Sequence, residues 1–591
     1  MFVRLWRLLD AGERRRMVGI IPLLVLSAFV EVVGVATIIP FLTLLVDPGS
    51  VADLPLIGTW LDSVRGEGIA TARWVALAFA LVLVLANALV MLTHWWRLRF
   101  SWGINHAVSM RLLRHYLSQP YARHVVRNSA ELQNRLIVEV RQVMEQGFRA
   151  LLEIVTRGAV IVALVGFLIV LDPMTALVAV GGVGGSYALV YVLTRRYLRR
   201  IGRASVAAGN ERMKAAKEGL DGLRDLRLVG REASALRAYR GPSRRYADVK
   251  AASAAISELP RSALEAVAVG GFVVIAGLQA GRDGGLGAML PTLGAYAFAG
   301  LRLMPAAQAL FHHLARLRFS TGSLEALEAD FAERDDVETD LDVPVSVPRF
   351  RHAIELRDVT VRYEGETEPA LEGVSFVVRH RSTVGVLGRT GSGKSTLAEV
   401  LFGLLIPQRG AVLLDGRPVD RSDLRSYRSL FGYVPQSVFL LDDTVTRNVA
   451  FGVPDDEIDH DAVRRACAQA QVADVVERLL PHRFETLLGE NGVRLSGGQR
   501  QRIGIARALY HQPAVLVFDE ATSALDVHTE RTVYEALAAI ARERTLVVIT
   551  HRLETVAFAD HLVVLESGRI VDQGAPGAVL ERYRAEGAVE A

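Results

Sequence analysis

Gly388-Arg389-Thr390-Gly391-Ser392-Gly393-Lys394-Ser395-Thr396 fits the phosphate-loop pattern G-x-x-x-x-G-K-[ST] in full. The run before it, Ser382–Leu387, is short, apolar and β-branched, and reads as a buried strand. The run after it, Leu397–Leu405, reads as a helix, which completes the strand–loop–helix context the pattern needs. Glycines at 388, 391 and 393 let the backbone turn tightly and aim N–H groups at phosphate oxygens. The helix start adds partial positive charge at the same place. Lys394 is expected at the β- and γ-phosphates, Ser395 on Mg²⁺, and the Thr396 hydroxyl on the α-phosphate side. A nucleoside triphosphate is the implied ligand.

Composition places this loop in an unusual setting. Of 591 residues, 51% are hydrophobic, and mean hydropathy is +0.27, high for a soluble chain and pointing to a membrane-embedded portion. The formal charge is +4, carried almost wholly by arginine, with lysine only at 214, 217, 250 and 394. The arginines flank apolar runs instead of forming one basic tract, so positive-inside topology explains them and nucleic acid is not expected as a partner. One cysteine, Cys467, excludes an intrachain disulfide.

The first half reads as six spans with both termini cytoplasmic. Arginines at 4, 7, 14, 15 and 16 precede the apolar run Met17–Val46, which Pro22, Glu31 and Pro40 interrupt. It reads as a retained span, not a cleaved leader. An acidic outside loop, Asp47–Thr71, carries apolar residues at helical spacing over 54–64, a candidate surface helix. Span two is Trp74–Trp96, followed by an arginine-rich cytoplasmic stretch to about 149, broken near Gln119-Pro120. Spans three and four, Leu151–Leu171 and Met174–Thr194, meet at Asp172-Pro173, and the glycines of 181–185 would permit close helix contact or bending. Spans five and six, Arg261–Ala280 and Ala288–Leu310, follow a second basic stretch. Ser320–Pro348 is strongly acidic and reads as a solvated linker. From Phe350 strands and helices alternate as in an α/β domain. The expected division is therefore a transmembrane domain at 1–320, a linker at 321–349, an α/β nucleotide-binding domain at 350–580 and a tail at 581–591.

Two further motifs join the phosphate loop. Val515–Phe518 is an apolar strand ending in Asp519 and Glu520; the first acid is placed for Mg²⁺ and the second to orient or deprotonate a water. Leu495-Ser496-Gly497-Gly498-Gln499 opens a helix just upstream, and its first-turn N–H groups can meet a γ-phosphate. The ordinary alternative is a Ser-Gly-Gly turn that merely caps a helix.

Together these residues resemble the ATP-binding cassette (ABC) transporters, with Leu495–Gln499 as the signature. The layout, six spans then one cassette, resembles a half-size exporter. The resemblance implies an ATP hydrolase coupled to transport, with ATP and Mg²⁺ as cofactors. It implies Tyr363 stacked on adenine, Gln436 touching Mg²⁺ and linking to the membrane domain, and His551 on the γ-phosphate. Glu485–Glu490 and Ser523–Asp526 match segments at the linking helices and the dimer interface, and 118–130 and 217–232 are expected to hold the coupling helices. The family implies a homodimer in the plasma (bacterial inner) membrane, the signature of one chain completing the phosphate loop of the other. Phe29–Leu45, Glu258–Val269 and Leu301–Leu310 look similar to the PglK-like lipid-linked oligosaccharide flippases. The expected cargo is a lipid-linked oligosaccharide or related glycolipid moved to the outer leaflet, with peptides, other lipids or hydrophobic drugs as the alternative. A gated channel of the same fold is disfavoured because Glu520 is present.

Glu31, Glu265 and Arg302 fall within apolar spans, where an ionised group needs a partner or a cavity. Either Glu31 and Arg302 pair to hold two helices in register, or Arg302 meets an anionic head group on the substrate.

Overall fold

The computed structural model describes residues 1–36, 68–171, 173–258, 303–332, 345–363, 365–520 and 543–585. The surface helix at 54–64, span five with Glu265, span six as far as Arg302, and the 523–526 loop lie outside the described residues. Two units emerge: 1–117 with 127–335, and 118–126 with 336–591.

The first unit is helical. Ala11–Ala36 is one helix that runs through Pro22 without a break. Proline is tolerated in such apolar helices because the freed carbonyl finds local partners. Gly68–Ser118 is continuous over 51 residues, so the second apolar run and the basic stretch after it are one rod. From Ser129 the chain is helical to Leu171, with two π-turns at Arg135–Glu139 and Met144–Phe148. Among the described residues, Ala80–Ser118 and Ser129–Val170 are long and apolar enough to cross a membrane. Pro173–Asp221 and Glu232–Glu258 follow, linked through the short helix Leu223–Leu228. Ala28 and Val32 of Ala11–Ala36 pack with Val160, Leu164 and Leu168 of Arg149–Leu171 in an apolar cluster.

Close backbone packing occurs away from the expected glycine run. Among the described residues, a Cβ at Gly181, Gly184 or Gly185 would meet nothing within 4 Å. At Gly202 it would lie 2.1 Å from the Phe319 carbonyl oxygen, and at Gly322 2.6 Å from the Gly202 carbonyl oxygen. Glycine is needed at both because two backbones touch there.

The expected solvated linker is corrected over its first two fifths. Thr321–Ala332 is a helix, and its acids are partnered. Glu328 receives the Arg4 guanidinium, with Nε 3.0 Å from Oε1. Glu325 receives Arg203 at 2.6 Å, and Asp330 is wholly buried. A charge run reads as solvated only when its counter-ions are out of sight in sequence.

The second unit is α/β. Strands β1 (Ala353–Val361), β2 (Leu371–Arg379), β4 (Arg409–Leu414) and β5 (Arg417–Pro418) form an antiparallel sheet ordered β2-β1-β4-β5. Strands β3 (Thr383–Leu387), β6 (Phe431–Val434), β7 (Val515–Asp519), β8 (Thr545–Thr550), β9 (His561–Glu566) and β10 (Arg569–Gly574) form a second, ordered β10-β9-β3-β8-β7-β6. Its five strands from β9 to β6 run parallel. Every residue of β3 and β8 is buried, which is why both read as continuous apolar runs. The short helix Tyr121–Val126 groups with this unit, where Ala122 packs on the core shared by both sheets.

Candidate functional site

Four neighbouring parallel strands deliver the site. The phosphate loop leaves β3, Gln436 follows β6, Asp519 and Glu520 end β7, and His551 follows β8. In open parallel sheets the carboxyl ends of strands are where ligands bind, since loops fan apart there and helix starts face inward.

The loop has the conformation its glycines permit. Gly391 and Gly393 hold φ of +83° and +101°, left-handed values that a side chain would oppose. A Cβ at Gly388 would fall 2.5 Å from the Leu565 carbonyl oxygen and from Ser392 Oγ. The helix then begins at Lys394, a turn earlier than expected, and no side chain caps it. Its first-turn amides are therefore left for an external acceptor. Ser392 Oγ is buried with no hydrogen-bond partner, a second polar atom turned into the loop and unsatisfied by protein. These features fit a phosphate chain.

Lys394 is buried, and its Nζ donates to the carbonyls of Gly388 (2.8 Å) and Arg389 (2.9 Å). It stands 3.6 Å from Glu520 Oε1. Glu520 is the meeting point. Gln436 Nε2 donates to its Oε2 at 3.0 Å, and His551 Nδ1 lies 3.1 Å from its Oε1. Its own φ is +46°, a strained value for a non-glycine residue, held by its amide bonding to the Ile549 carbonyl at 2.8 Å. The four residues that sequence motifs placed far apart thus meet at one carboxylate, two by hydrogen bonds and Lys394 by charge.

Asp519 sits beside them. Burial raises its carboxyl above the usual range and the charge of Glu520 adds to this, while a bond from Tyr433 and the charge of Lys394 oppose it. The Tyr433 hydroxyl donates to Asp519 Oδ2 at 3.2 Å. Sequence reading missed Tyr433. Its only signal is its place in the strand that leads to Gln436. Glu399 was also missed. It lies on the loop helix, and its Oε2 accepts from the Tyr363 hydroxyl at 3.2 Å, which is also 3.1 Å from Thr396 Oγ1. Burial holds the Glu399 carboxyl above its ordinary range.

For a divalent ion, the donors here are the exposed Ser395 hydroxyl, the Asp519 carboxylate and the Gln436 amide. Among the described residues no cluster of three His, Cys, Asp or Glu stands ready for a metal. A few hard oxygens without a cage suit Mg²⁺, which retains waters and takes phosphate oxygens.

Ser496 does cap its helix. Its Oγ accepts from the Gln499 amide at 3.3 Å and Gln499 Oε1 accepts from the Ser496 amide at 2.9 Å. This box satisfies the first and fourth orphan amides and leaves those of Gly497 and Gly498 for another acceptor. Capping therefore does not by itself use up the helix start. Of the candidates in the apolar spans, Glu31 meets Arg157 at 3.7 Å, and Arg302, the partner suggested for it, lies outside the described residues. Arg157 also lies 3.7 Å from Glu153, which pairs at 2.9 Å with Arg97.

Comparison with known proteins agrees with this layout. Residues 371–523 match the family described as ABC transporter, and 21–279 match the ABC transporter transmembrane region. The chain is 32% identical over 526 residues to an ATP-dependent lipid A-core flippase of Cupriavidus metallidurans, covering 88% of this chain and 87% of that one. It is 35% identical over 456 residues to the ATP-dependent lipid A-core flippase of Bordetella pertussis, covering 76% and 71%. Among solved structures, a bacterial Atm1-family ABC exporter with ATP bound superposes with a TM-score of 0.72 at 26% identity, covering 98% of this chain and all of that one.

Proposed function

We propose that the chain, which belongs to the ABC transporter family by both its membrane and its cassette matches, works as a homodimeric flippase for an amphiphilic glycolipid. It is a membrane exporter half-transporter and an ATP-driven translocase. The observation that carries the catalytic assignment is the convergence of Lys394, Gln436 and His551 on Glu520. Lys394 neutralises phosphate charge. Glu520 takes or orients the proton of the attacking water, held in place by the Gln436 amide and the His551 ring. Mg²⁺, held by Ser395 and Asp519 with Gln436 beside them, would supply charge neutralisation between phosphate oxygens.

Dimerisation is supported by two features. The Gly497 and Gly498 amides need an acceptor from elsewhere. At the tip near the short helix Leu223–Leu228, Leu220 and Leu228 are 73% and 76% exposed, an apolar surface that suits a second copy. The termini are assigned to the cytoplasm, in the inner membrane. A lipid A-core type of glycolipid is favoured as cargo because relatives of that name align over most of the chain. A polyprenyl-pyrophosphate oligosaccharide is the narrower alternative. Proteoliposomes holding the full chain test both: one of the two lipids should stimulate ATP hydrolysis and reach the opposite leaflet. Stimulation by neither, with a peptide or hydrophobic drug active instead, overturns the glycolipid assignment.

A further inference from the structure

The chain passes between its two units at three points, after Leu117, after Val126 and after Asp335. Residues beside all three meet at one buried carboxylate. Tyr116, next to the first crossing, donates its hydroxyl to Asp330 Oδ2 at 2.8 Å. Arg127, the first residue after the second crossing, lies 3.6 Å from Asp330 Oδ1. Asp330 itself precedes the third crossing by five residues and is 0% exposed. Arg135, in the π-turn Arg135–Glu139, donates to the same Oδ1. Burying a carboxylate is costly unless it is paired and hydrogen-bonded. Here both conditions are met by groups from two helices and from the bend at Arg127.

We infer that Asp330 is a positioning residue for coupled transport, tying the three connections to the cassette unit so that they shift together when ATP is bound and hydrolysed. The inference rests on the ATP-driven export reading. Tyr116, Arg127 and Arg135 belong to none of the ATP-site motifs, so loss of the carboxylate leaves hydrolysis running and releases the membrane helices from it. A π-turn at Arg135 gives the arrangement one surplus residue per turn, the kind of local slack that accompanies functional movement in helices.

Hydrogen exchange on the full chain in nanodiscs, with and without ATP and vanadate, tests this. In the wild-type protein, peptides within 80–117 and 140–171 should change exchange on trapping. Asp330→Asn keeps shape and an acceptor for Tyr116 and removes the charge. It should hydrolyse ATP within about twofold of wild type while the exchange change in those peptides falls at least about fivefold. Tyr116→Phe, which removes one neutral donor and so spares folding, should reduce the exchange change about two- to threefold, and the double variant should be no worse than Asp330→Asn alone. Wild-type exchange responses in Tyr116→Phe and Asp330→Asn would overturn the inference, as would parallel loss of ATPase and response in both. If Asp330→Asn does not fold, Tyr116→Phe decides alone. A wild-type chain that hydrolyses no ATP would overturn the export reading instead.

Discussion

The Tyr363 hydroxyl is bonded to Glu399 at 3.2 Å, so the aromatic at the end of β1 is anchored to the helix that follows the phosphate loop. We propose that this fixes the Tyr363 ring against adenine, relative to the phosphate loop. Removing the bond should weaken ATP binding and leave the chemical step alone. Tyr363→Phe and Glu399→Ala should each raise KM for ATP about two- to tenfold with kcat unchanged, the range expected for one hydrogen bond. Tyr363→Ala should cost more, since the ring is lost too. Steady-state kinetics check this; a fall in kcat at constant KM would remove the anchor role.

Glu520→Gln should keep ATP binding and cut hydrolysis by about 10²–10⁴, because the amide cannot accept the water's proton. The variant should accumulate ATP-loaded in a nucleotide-trapping assay. Turnover near wild type would take Glu520 out of the reaction.

Mixing Lys394→Ala chains with Ser496→Ala chains should produce some dimers with one intact composite site. Crosslinks between 394 and 496 should then form between chains. Crosslinks found only within a chain would refute the shared site.

Arg97 and Glu153 are paired at 2.9 Å with side chains only 6% and 8% exposed. Removing one partner leaves an uncompensated buried charge, so Arg97→Ala should destabilise by about 3–5 kcal/mol. Arg97→Met with Glu153→Leu should recover most of it. Glu31→Gln, at a longer and more open contact, should cost under about 1 kcal/mol. Thermal unfolding in detergent measures all three; equal losses would show a single inseparable network.

Asp415 accepts from the amides of Arg351, His352 and Ala353 at 2.7–3.0 Å, and these bonds hold its carboxyl below the ordinary range against a desolvation effect that raises it. A depressed folded value means the stabilisation is fully present above the unfolded value, about 3.9, and is lost as pH falls below it. Asp415→Asn should therefore lower stability by roughly 1 kcal/mol at pH 7 and by much less at pH 3. A pH-independent difference would disprove the charge contribution.

The nucleotide site was legible in sequence because each residue stands at a strand end or helix start whose apolar run is itself visible. Lys394, Gln436, Glu520 and His551 need only the order of the parallel strands to bring them together. Tyr433 and Glu399 carry no such marker; their roles come from side-chain reach across the sheet. The acidic run misled for a related reason. Glu328 and Arg4 are separated by 324 positions, and Asp330 and Tyr116 by 214, so composition sees charge and no partner. The contact of Glu31 with Arg157 comes from helix packing, which the sequence does not show.

The contact of Gly202 with Gly322 and the Phe319 carbonyl has a mechanical meaning. With no side chain between the backbones, neither helix can roll or slide past the other without steric collision, so the acidic helix travels with Pro173–Asp221 as one rigid piece. That long helix has roughly 44 Å on the membrane side of the weld and 28 Å on the other, at about 1.5 Å per residue. Both arms of that helix therefore move with the acidic helix and not about it.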